Sequence, residues 1–342
     1  MQLLTIVYFG VIFVVLGAVP AFAFDGAGHM QIADIAWVTL AGSAVTRAAI
    51  AAILKKARGQ FKLSSDDPTA ARDAFDLAAT FPDIIKNSTK TPYESLIPAM
   101  NLLFWDQEAA NAEGREGTRC RSWHFFDTPI KVPAGVVPHL PDSNLVAAVN
   151  EGTRRLRQLH TKTYDGPTFA GMTEDDLSFW WLAFLLHVVG DAHQPLHCAS
   201  NYSVPGNVGK PDAGGNKFPI AQSSGKSSNL HTFWDASLEA AAFEDGVPIS
   251  SAPTAASHSA VLAPASQTWL DNVTVTIGSK TVLNPTTWVS EGATAATTLV
   301  YKGIKPGQVP SAAYRSRATA HARQAAVLGG QRLAAILKNA LA

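Results

Sequence analysis

The sequence predicts an all-α protein with a single mainly helical domain. Apolar residues recur at helical spacing along most of the chain, and residues typical of helix ends stand beside these runs. Strand signals are scarce, and only residues 272–283 predict a short β-hairpin, around Gly278 and Ser279. No internal repeat or change of composition divides the chain, so we expect one domain after a leader peptide.

The helices are predicted in chain order from these runs. The first covers residues 28–56, where His29 and Ile32 share an apolar stripe. Thr173 begins a long helix with Asp176 at the reciprocal capping position, and Pro195 should end it. The other predicted helices are 68–80, 92–112, 142–161, 227–243, 284–301 and 312–341. Small and polar residues predict two loops, at 201–228 and 246–267.

The first 23 residues predict a secretory signal peptide. They contain no charged residue, residues 3–19 are almost wholly apolar, and the small-residue pattern A-F-A follows at 21–23. A membrane anchor is the alternative, because the apolar run is long and no Lys or Arg precedes it. Cleavage after Ala23 would leave residues 24–342 as one secreted or periplasmic domain without stable membrane association.

The charge composition excludes a general electrostatic attraction to nucleic acid. The chain has 27 Lys and Arg against 27 Asp and Glu, so its formal net charge is zero. Proteins that follow a nucleic-acid backbone by charge alone carry a basic surface. Any binding to nucleic acid must therefore come from a local site.

Two histidine–aspartate pairs at helical spacing predict a buried metal site. His187 and Asp191 are four residues apart in HVVGDAHQPLH, and His231 and Asp235 repeat this spacing in NLHTFWDAS. One such pair alone is more often structural, because side chains four apart also stabilise helices. Two pairs, with His197 just after a proline, favour metal ligation by neutral imidazole and ionised carboxylate.

Three further residues extend this set. His124 in SWHFFDTP and His29 in FDGAGHM add imidazoles, although a lone histidine on an apolar stripe is more often packed in the core. Asp83 follows Pro82 in an apolar setting, where a buried carboxylate needs a cation.

Taken in order, these motifs resemble those of the secreted trinuclear-zinc nucleases, which include the fungal S-one and P-one nucleases and the plant bifunctional nucleases. The chain has FDGAGH, FPD, HFFD, HVVGDAHQPLH, GGN at 214–216 and NLHTFWD, in the order of that family. The match runs from Phe24 to about Tyr301. It implies a helical domain of the zinc phospholipase C and P-one nuclease type.

The resemblance implies three zinc ions. It assigns their ligands in three sets: Asp83, His124, His187 and Asp191 for the first ion; His197, His231 and Asp235 for the second; and the free amine and carbonyl of Phe24, His29 and a bridging Asp191 for the third.

The activity implied is that of an endonuclease and 3′-nucleotidase without an obligate protein partner. It would hydrolyse P–O3′ bonds of single-stranded DNA and RNA, and of 3′-nucleotides, to give 5′-phosphate products, with Asp83 orienting the attacking water. Lys86 stands where the family has an arginine, which keeps the charge but loses the bidentate fork. Phe125 and Asp127 match the base pocket, and ordinary core packing is the alternative for Phe125.

Two other functions compete with this interpretation. A zinc phospholipase C would share fold and metals, but its first histidine lies farther from the N-terminus and its last ligand is Glu where this chain has Asp235. A zinc-binding helical protein without catalysis is the other alternative, and Phe125 and Asp127 speak against it. If His124 and His197 reach neighbouring zinc ions, Cys120 and Cys198 are brought close, which predicts one disulfide.

Overall fold

The computed structural model describes residues 26–65, 67–87, 120–140, 143–166, 171–222, 224–245 and 258–342, and it confirms a mainly helical fold. The α-helices in these ranges are α1 (Gly26–Thr39), α2 (Ala44–Lys55), α3 (Pro68–Ala78), α4 (Phe81–Asn87), α5 (Leu145–His160), α6 (Glu174–Asp191), α7 (Leu230–Asp235), α8 (Ser237–Glu244), α9 (His258–Asn272), α10 (Pro285–Ala295) and α11 (Ala312–Leu341). The predicted leader, Phe24 and the predicted helix 92–112 lie outside the described residues.

Helix α6 runs through the core and carries site residues at its C-terminal end. It begins as predicted with a capping box, in which the Thr173 hydroxyl accepts from the Asp176 N–H at 3.1 Å and the Asp176 carboxylate accepts from the Thr173 N–H at 3.0 Å. Trp180, Trp181 and Phe184 are almost completely buried. Burial of such large rings stabilises by about 1.5–3 kcal/mol each, so α6 is a firmly held base for the site.

The N-terminal prediction needs a correction, because the run 28–56 forms two helices. A 3₁₀ turn at Leu40–Gly42 separates α1 from α2. Gly42 disfavours a continuing helix, and Ser43 leaves helical geometry with φ −122° and ψ 73°. Helix α1 then packs against the long α11, as the buried face of both helices indicates.

The strands are short and lie elsewhere than predicted. Strand β1 (Thr128–Ile130) pairs in parallel with β2 (Ala199–Asn201), in the register Thr128 to Ala199. Strand β3 (Pro219–Ala221) pairs antiparallel with β4 (Ser227–Asn229). Both β3 and most of β4 lie within the segment 201–228 that was predicted as a loop.

The hairpin predicted at 272–283 is wrong. Residues 273–283 contain no strand, because side chains of two neighbouring helices and not a partner strand bind their backbone. From α11, the Gln324 side chain accepts from the Thr276 N–H at 2.9 Å, and Arg332 Nε donates to the Ser279 carbonyl at 3.1 Å. From α10, Trp288 Nε1 donates to the Val282 carbonyl at 2.6 Å. Alternating Val and Thr residues therefore do not form a ladder here.

Two further segments differ from the predictions. Within the predicted loop 246–267 helix α9 begins at His258, because Leu262 and Trp269 are buried in a cluster with residues of α1, while 246–257 lies outside the described residues. The predicted helix 227–243 is divided into β4, α7 and α8, with Ala236 between the helices. Among the helices in the described ranges, none is both long and apolar enough to cross a bilayer.

Candidate metal centre

Eight predicted ligands converge at one end of α6. Their donor atoms form three groups, within each of which all atoms lie within 4.8 Å of one another. The groups are His29, Asp83 and His187; His124, His187 and Asp191; and His197, His231 and Asp235. We call the last of these the second group, because it is the set predicted for the second zinc ion.

Local structure explains how each side chain reaches the centre. The i,i+4 spacing places His187 and Asp191 on one face of α6, and the same spacing places His231 and Asp235 on one face of α7. The remaining four come from different segments: His29 from α1, Asp83 from α4, His124 from the 3₁₀ turn Arg121–His124, and His197 from the 3₁₀ turn Pro195–His197.

Asp191 is the hub of the centre and is fully buried. One carboxylate oxygen lies 3.4 Å from His29 Nε2 and 3.5 Å from His197 Nδ1. The other lies 3.1 Å from His124 Nδ1 and 3.4 Å from His187 Nε2. A single carboxylate thus lies beside imidazoles that belong to all three groups.

Backbone carbonyls orient three of the imidazoles. The Nδ1 atoms of His187, His231 and His197 donate to the carbonyls of Ala79 at 2.8 Å, Gly214 at 2.7 Å and His124 at 2.5 Å, in that order. Donation through Nδ1 leaves Nε2 as the basic nitrogen, which is the usual arrangement around a metal-binding histidine.

The donor set fits a metal such as zinc. Among the described residues, Asp191 Oδ1, His197 Nε2 and Asp235 Oδ2 are buried without a hydrogen-bond partner. Buried polar atoms are normally satisfied, so these three atoms fit a ligand role. Gln194 Nε2 donates to Asp235 Oδ1 at 2.6 Å, and Asp235 Oδ2 remains 3.4 Å from His231 Nε2. Imidazole nitrogens and carboxylate oxygens are common zinc ligands.

The electrostatics of the protein alone favour ionised carboxylate at the hub. Burial opposes ionisation of Asp191, but electrostatic interaction with the neighbouring imidazoles of His187, His197 and His29 outweighs it and holds the Asp191 pKa well below its usual range. Burial, reinforced by His29, lowers the pKa of His187 well below its usual range. Burial also opposes the charge on His197, yet Asp191 and Asp235 raise its pKa to about 9.

Two glycines to which the sequence interpretation gave no role shape the centre. A Cβ on Gly190 would lie 2.8 Å from His29 Nδ1, so only glycine lets α1 approach α6 this closely. Gly214 has a φ of +58°, and a Cβ there would lie 2.3 Å from the Leu196 carbonyl oxygen. The signals were present as a glycine inside an apolar helix and as the GGN motif.

The structure describes the other predicted site residues to different extents. Phe125 and Asp127 are half-buried and follow His124 by one and three residues. Lys86 belongs to α4, three residues after Asp83, and its side chain lies outside the description, as does the whole of Phe24. The roles assigned to these residues stay predictions.

The predicted disulfide is not formed in this structure. Cys120 and Cys198 are both free and buried. The Cys198 thiol is turned toward α10, where Gly292 leaves room for it, and it donates to the Ala192 carbonyl at 3.4 Å. Burial raises the pKa of both thiols, which therefore remain protonated.

Comparison with known proteins agrees with this geometry. The family model described as S1/P1 Nuclease matches residues 24–342, which includes every residue of the three groups. No curated protein matches the chain significantly. Because the family match covers nearly the whole sequence and the metal-dependent chemistry of the family fits the three groups, the chain belongs to the S1/P1 nuclease family, whose members hydrolyse phosphodiester bonds of nucleic acids.

Proposed function

We propose that the protein is a zinc-dependent endonuclease and 3′-nucleotidase that cleaves P–O3′ bonds of single-stranded DNA and RNA and leaves 5′-phosphates. The observation that carries this proposal is the hub arrangement, in which Asp191 contacts four imidazoles from three groups of possible ligands. Three such groups around one carboxylate suit a cluster of three ions that share the charge of a phosphate.

The choice of zinc follows from the ligand types. All eight donors are imidazole nitrogens or carboxylate oxygens, and both cysteines lie outside the three groups. Bound zinc would supply Lewis-acid charge for the phosphate and would lower the pKa of a water molecule to about 7. The three ligand carboxylates do not cancel three dications, so the pocket would be positive although the net charge of the chain is zero.

Asp83 is proposed to orient the attacking water. It lies in the first turn of α4, is almost fully buried, and has one oxygen 3.7 Å from His187 Nε2. A carboxylate in that position accepts a hydrogen bond from the water and fixes its direction of attack. Lys86 is proposed to contact the scissile phosphate, as the resemblance to the family implies for this position.

Phe125 and Asp127 are proposed to recognise a base beside the scissile bond. Both follow a predicted ligand, His124, by no more than three residues, and both keep part of their surface exposed. A base can stack on the Phe125 ring only when its face is not covered by base pairing, which explains a preference for single strands. The Asp127 carboxylate would accept from an amino group on the base edge.

Removal of the leader is proposed to complete the site in a secreted or periplasmic protein. Cleavage after Ala23 would release the amine of Phe24, five residues before His29. The start of the family match at residue 24 supports this cleavage point. The free amine and the carbonyl of Phe24 would then join His29 as ligands.

The test is an analysis of reaction products with zinc and with chelator. The protein is expressed with its leader, purified after export, and given a single-stranded DNA oligonucleotide, the matching duplex and phosphatidylcholine vesicles. We expect fast cleavage of the single strand, 5′-phosphate ends, and loss of activity on chelation that zinc restores. Asp235→Ala should lack activity, whereas Asp165→Ala, at an exposed carboxylate remote from the three groups, should keep it.

Three results would contradict the proposal. Products with 3′-phosphate ends would refute the bond assignment, and activity that survives chelation would refute the metal assignment. Hydrolysis of phosphatidylcholine without cleavage of the oligonucleotide would favour the phospholipase C alternative.

A further inference from the structure

A short loop, residues 212–217, lies between the segment of His197 and the helix of His231 and Asp235, which together form the second group. We call it the glycine loop. On one side, the Gly214 carbonyl accepts from His231 Nδ1 at 2.7 Å. On the other side, the backbone of Gly214 lies against the Leu196 carbonyl, where a Cβ would approach to 2.3 Å. Because Leu196 precedes His197, the position of this loop sets the spacing between two of the three ligands.

Asp212 closes the glycine loop at its base and is fully buried. Its backbone carbonyl accepts from the Lys217 N–H at 2.9 Å, and its N–H donates to the Asn201 carbonyl at 3.1 Å. Its carboxylate accepts from the Asn201 N–H at 2.8 Å and from the Ser200 hydroxyl at 3.3 Å. Ser200 and Asn201 belong to β2, which begins two residues after His197, so Asp212 joins the loop to the His197 segment.

Tyr301 completes the hydrogen bonding of this carboxylate. Its hydroxyl donates to Asp212 Oδ2 at 2.7 Å, and its buried ring packs against Phe218 with a centroid distance of 5.8 Å. Burial and the charge of Asp212 raise the pKa of Tyr301 well above its usual value, so the hydroxyl keeps its proton and remains a donor. A buried carboxylate that loses one donor is destabilised in its present position.

We propose that Asp212 and Tyr301 are positioning residues for the second group. They hold the glycine loop so that His197 and His231 present their Nε2 atoms to one metal ion. Both residues act through the loop and not as ligands. The inference rests on the proposed function only in that the second group binds a metal.

The experiment measures zinc retention by the mature holoenzyme. Zinc-saturated protein is titrated with a chelator, and the zinc left on the protein is counted at each step. The variants are Tyr301→Phe, which keeps the ring, and Asp212→Asn, which keeps the size. Ser266→Ala is the matched control, because it removes a buried hydroxyl that bonds to Gln31 and Asp34 on α1 and not to the glycine loop. His231→Ala removes one ligand of the second group, and the equivalent of zinc that it weakens is therefore the one bound by that group.

We expect Tyr301→Phe and Asp212→Asn to lower the affinity for that one equivalent about tenfold or more, with the other equivalents changed less than twofold. Hydrogen exchange at the amides of residues 213–217 should become faster in the zinc-saturated variants. Ser266→Ala should keep the zinc retention and the hydrogen exchange of the parent, even if it lowers Tm as much as the other two variants do.

The inference is overturned if both variants lose all equivalents equally, or if they retain zinc and exchange like Ser266→Ala. If the parent binds no zinc at the second group, the proposed function fails and this inference fails with it. If the parent binds zinc there and the variants are indistinguishable from it, only the inference fails.

Discussion

Replacement of Gly190 by alanine should impair the metal centre while changing the stability of the fold only slightly. The added Cβ would lie 2.8 Å from His29 Nδ1 and 3.2 Å from its Cε1, whereas ordinary contacts begin at 3.4 Å. The His29 ring must therefore move by roughly 0.6 Å to restore ordinary contact. Since this ring is stacked on His187 at 3.5 Å between centroids, two predicted ligands are disturbed at once.

The expected magnitudes follow from opposing effects. Alanine is favoured over glycine inside a helix by about 1 kcal/mol, and overpacking of a core costs about 1–3 kcal/mol. The free energy of unfolding should thus fall by about 0–2 kcal/mol. A displacement approaching 1 Å in a catalytic site can cost on the order of 100-fold in rate. We expect kcat on a single-stranded oligonucleotide to fall between about tenfold and 100-fold.

Gly152→Ala is the matched control, because Gly152 on α5 also faces α6. Its added Cβ would meet Leu185 side-chain carbons at 3.1 Å, and a leucine can move without touching a predicted ligand. Urea unfolding, steady-state kinetics and zinc content are measured for both variants and the parent. Equal losses of activity in the two variants, or parental activity and zinc content in Gly190→Ala, would refute the reasoning.

Three further predictions concern the predicted N-terminal ligand, a buried carboxyl and the phosphate contact. One extra residue before Phe24 in the mature protein should remove most nuclease activity, as intact mass and an oligonucleotide assay would show; full activity would exclude an amine ligand. Burial, and then the charge of Asp34, raise the pKa of Asp76 well above its ordinary 3.8. The contribution of the protonated Asp76 carboxyl to stability is therefore complete below that pH and is lost as pH rises through the folded-state pKa. Asp76→Asn should therefore gain stability relative to the parent between pH 4 and pH 7 in urea unfolding with excess zinc, and a constant difference would argue against a buried neutral carboxyl. Lys86→Arg restores a bidentate donor and should raise kcat/KM several-fold, whereas Lys86→Met should lower it at least tenfold; equal rates in the two variants would exclude a phosphate contact.

Local signals predicted some of the fold well and failed where distant contacts decide. The capping box at Thr173 and the last helix, 312–341, are encoded in nearby residues, and the structure confirms both starts. The strand pattern at 272–283 failed because helices α10 and α11 supply the hydrogen-bond partners of that segment. Helix α9 was missed because its Ser, Ala and Pro residues resemble a loop until Trp269 is seen in the core.

The same distinction applies to the centre. Spacing indicated the two histidine–aspartate pairs, and the resemblance to the family, through the order of its motifs, named the other residues whose donor atoms lie close together in the structure. These sequence signals did not predict the contacts of Asp212, Gln194 and Gly190, because those contacts join segments far apart in sequence. The role of a buried carboxylate in a polar loop, or of a glycine in an apolar helix, can be recognised only when the residue that it contacts is known.

The parallel pairing of β1 and β2 limits how the proposed base-binding segment, residues 125–127, can change in this protein. The Phe126 N–H donates to the His197 carbonyl at 2.7 Å, and the ladder aligns Thr128 with Ala199. Residues 125–127 thus lie between the predicted ligand His124 and strand β1, whose register with β2 is fixed. Substitutions at Phe125 or Asp127 leave the ladder in register, but an inserted or deleted residue would shift the ladder and pull His124 away from His197. New base preferences should therefore arise by substitution at constant length.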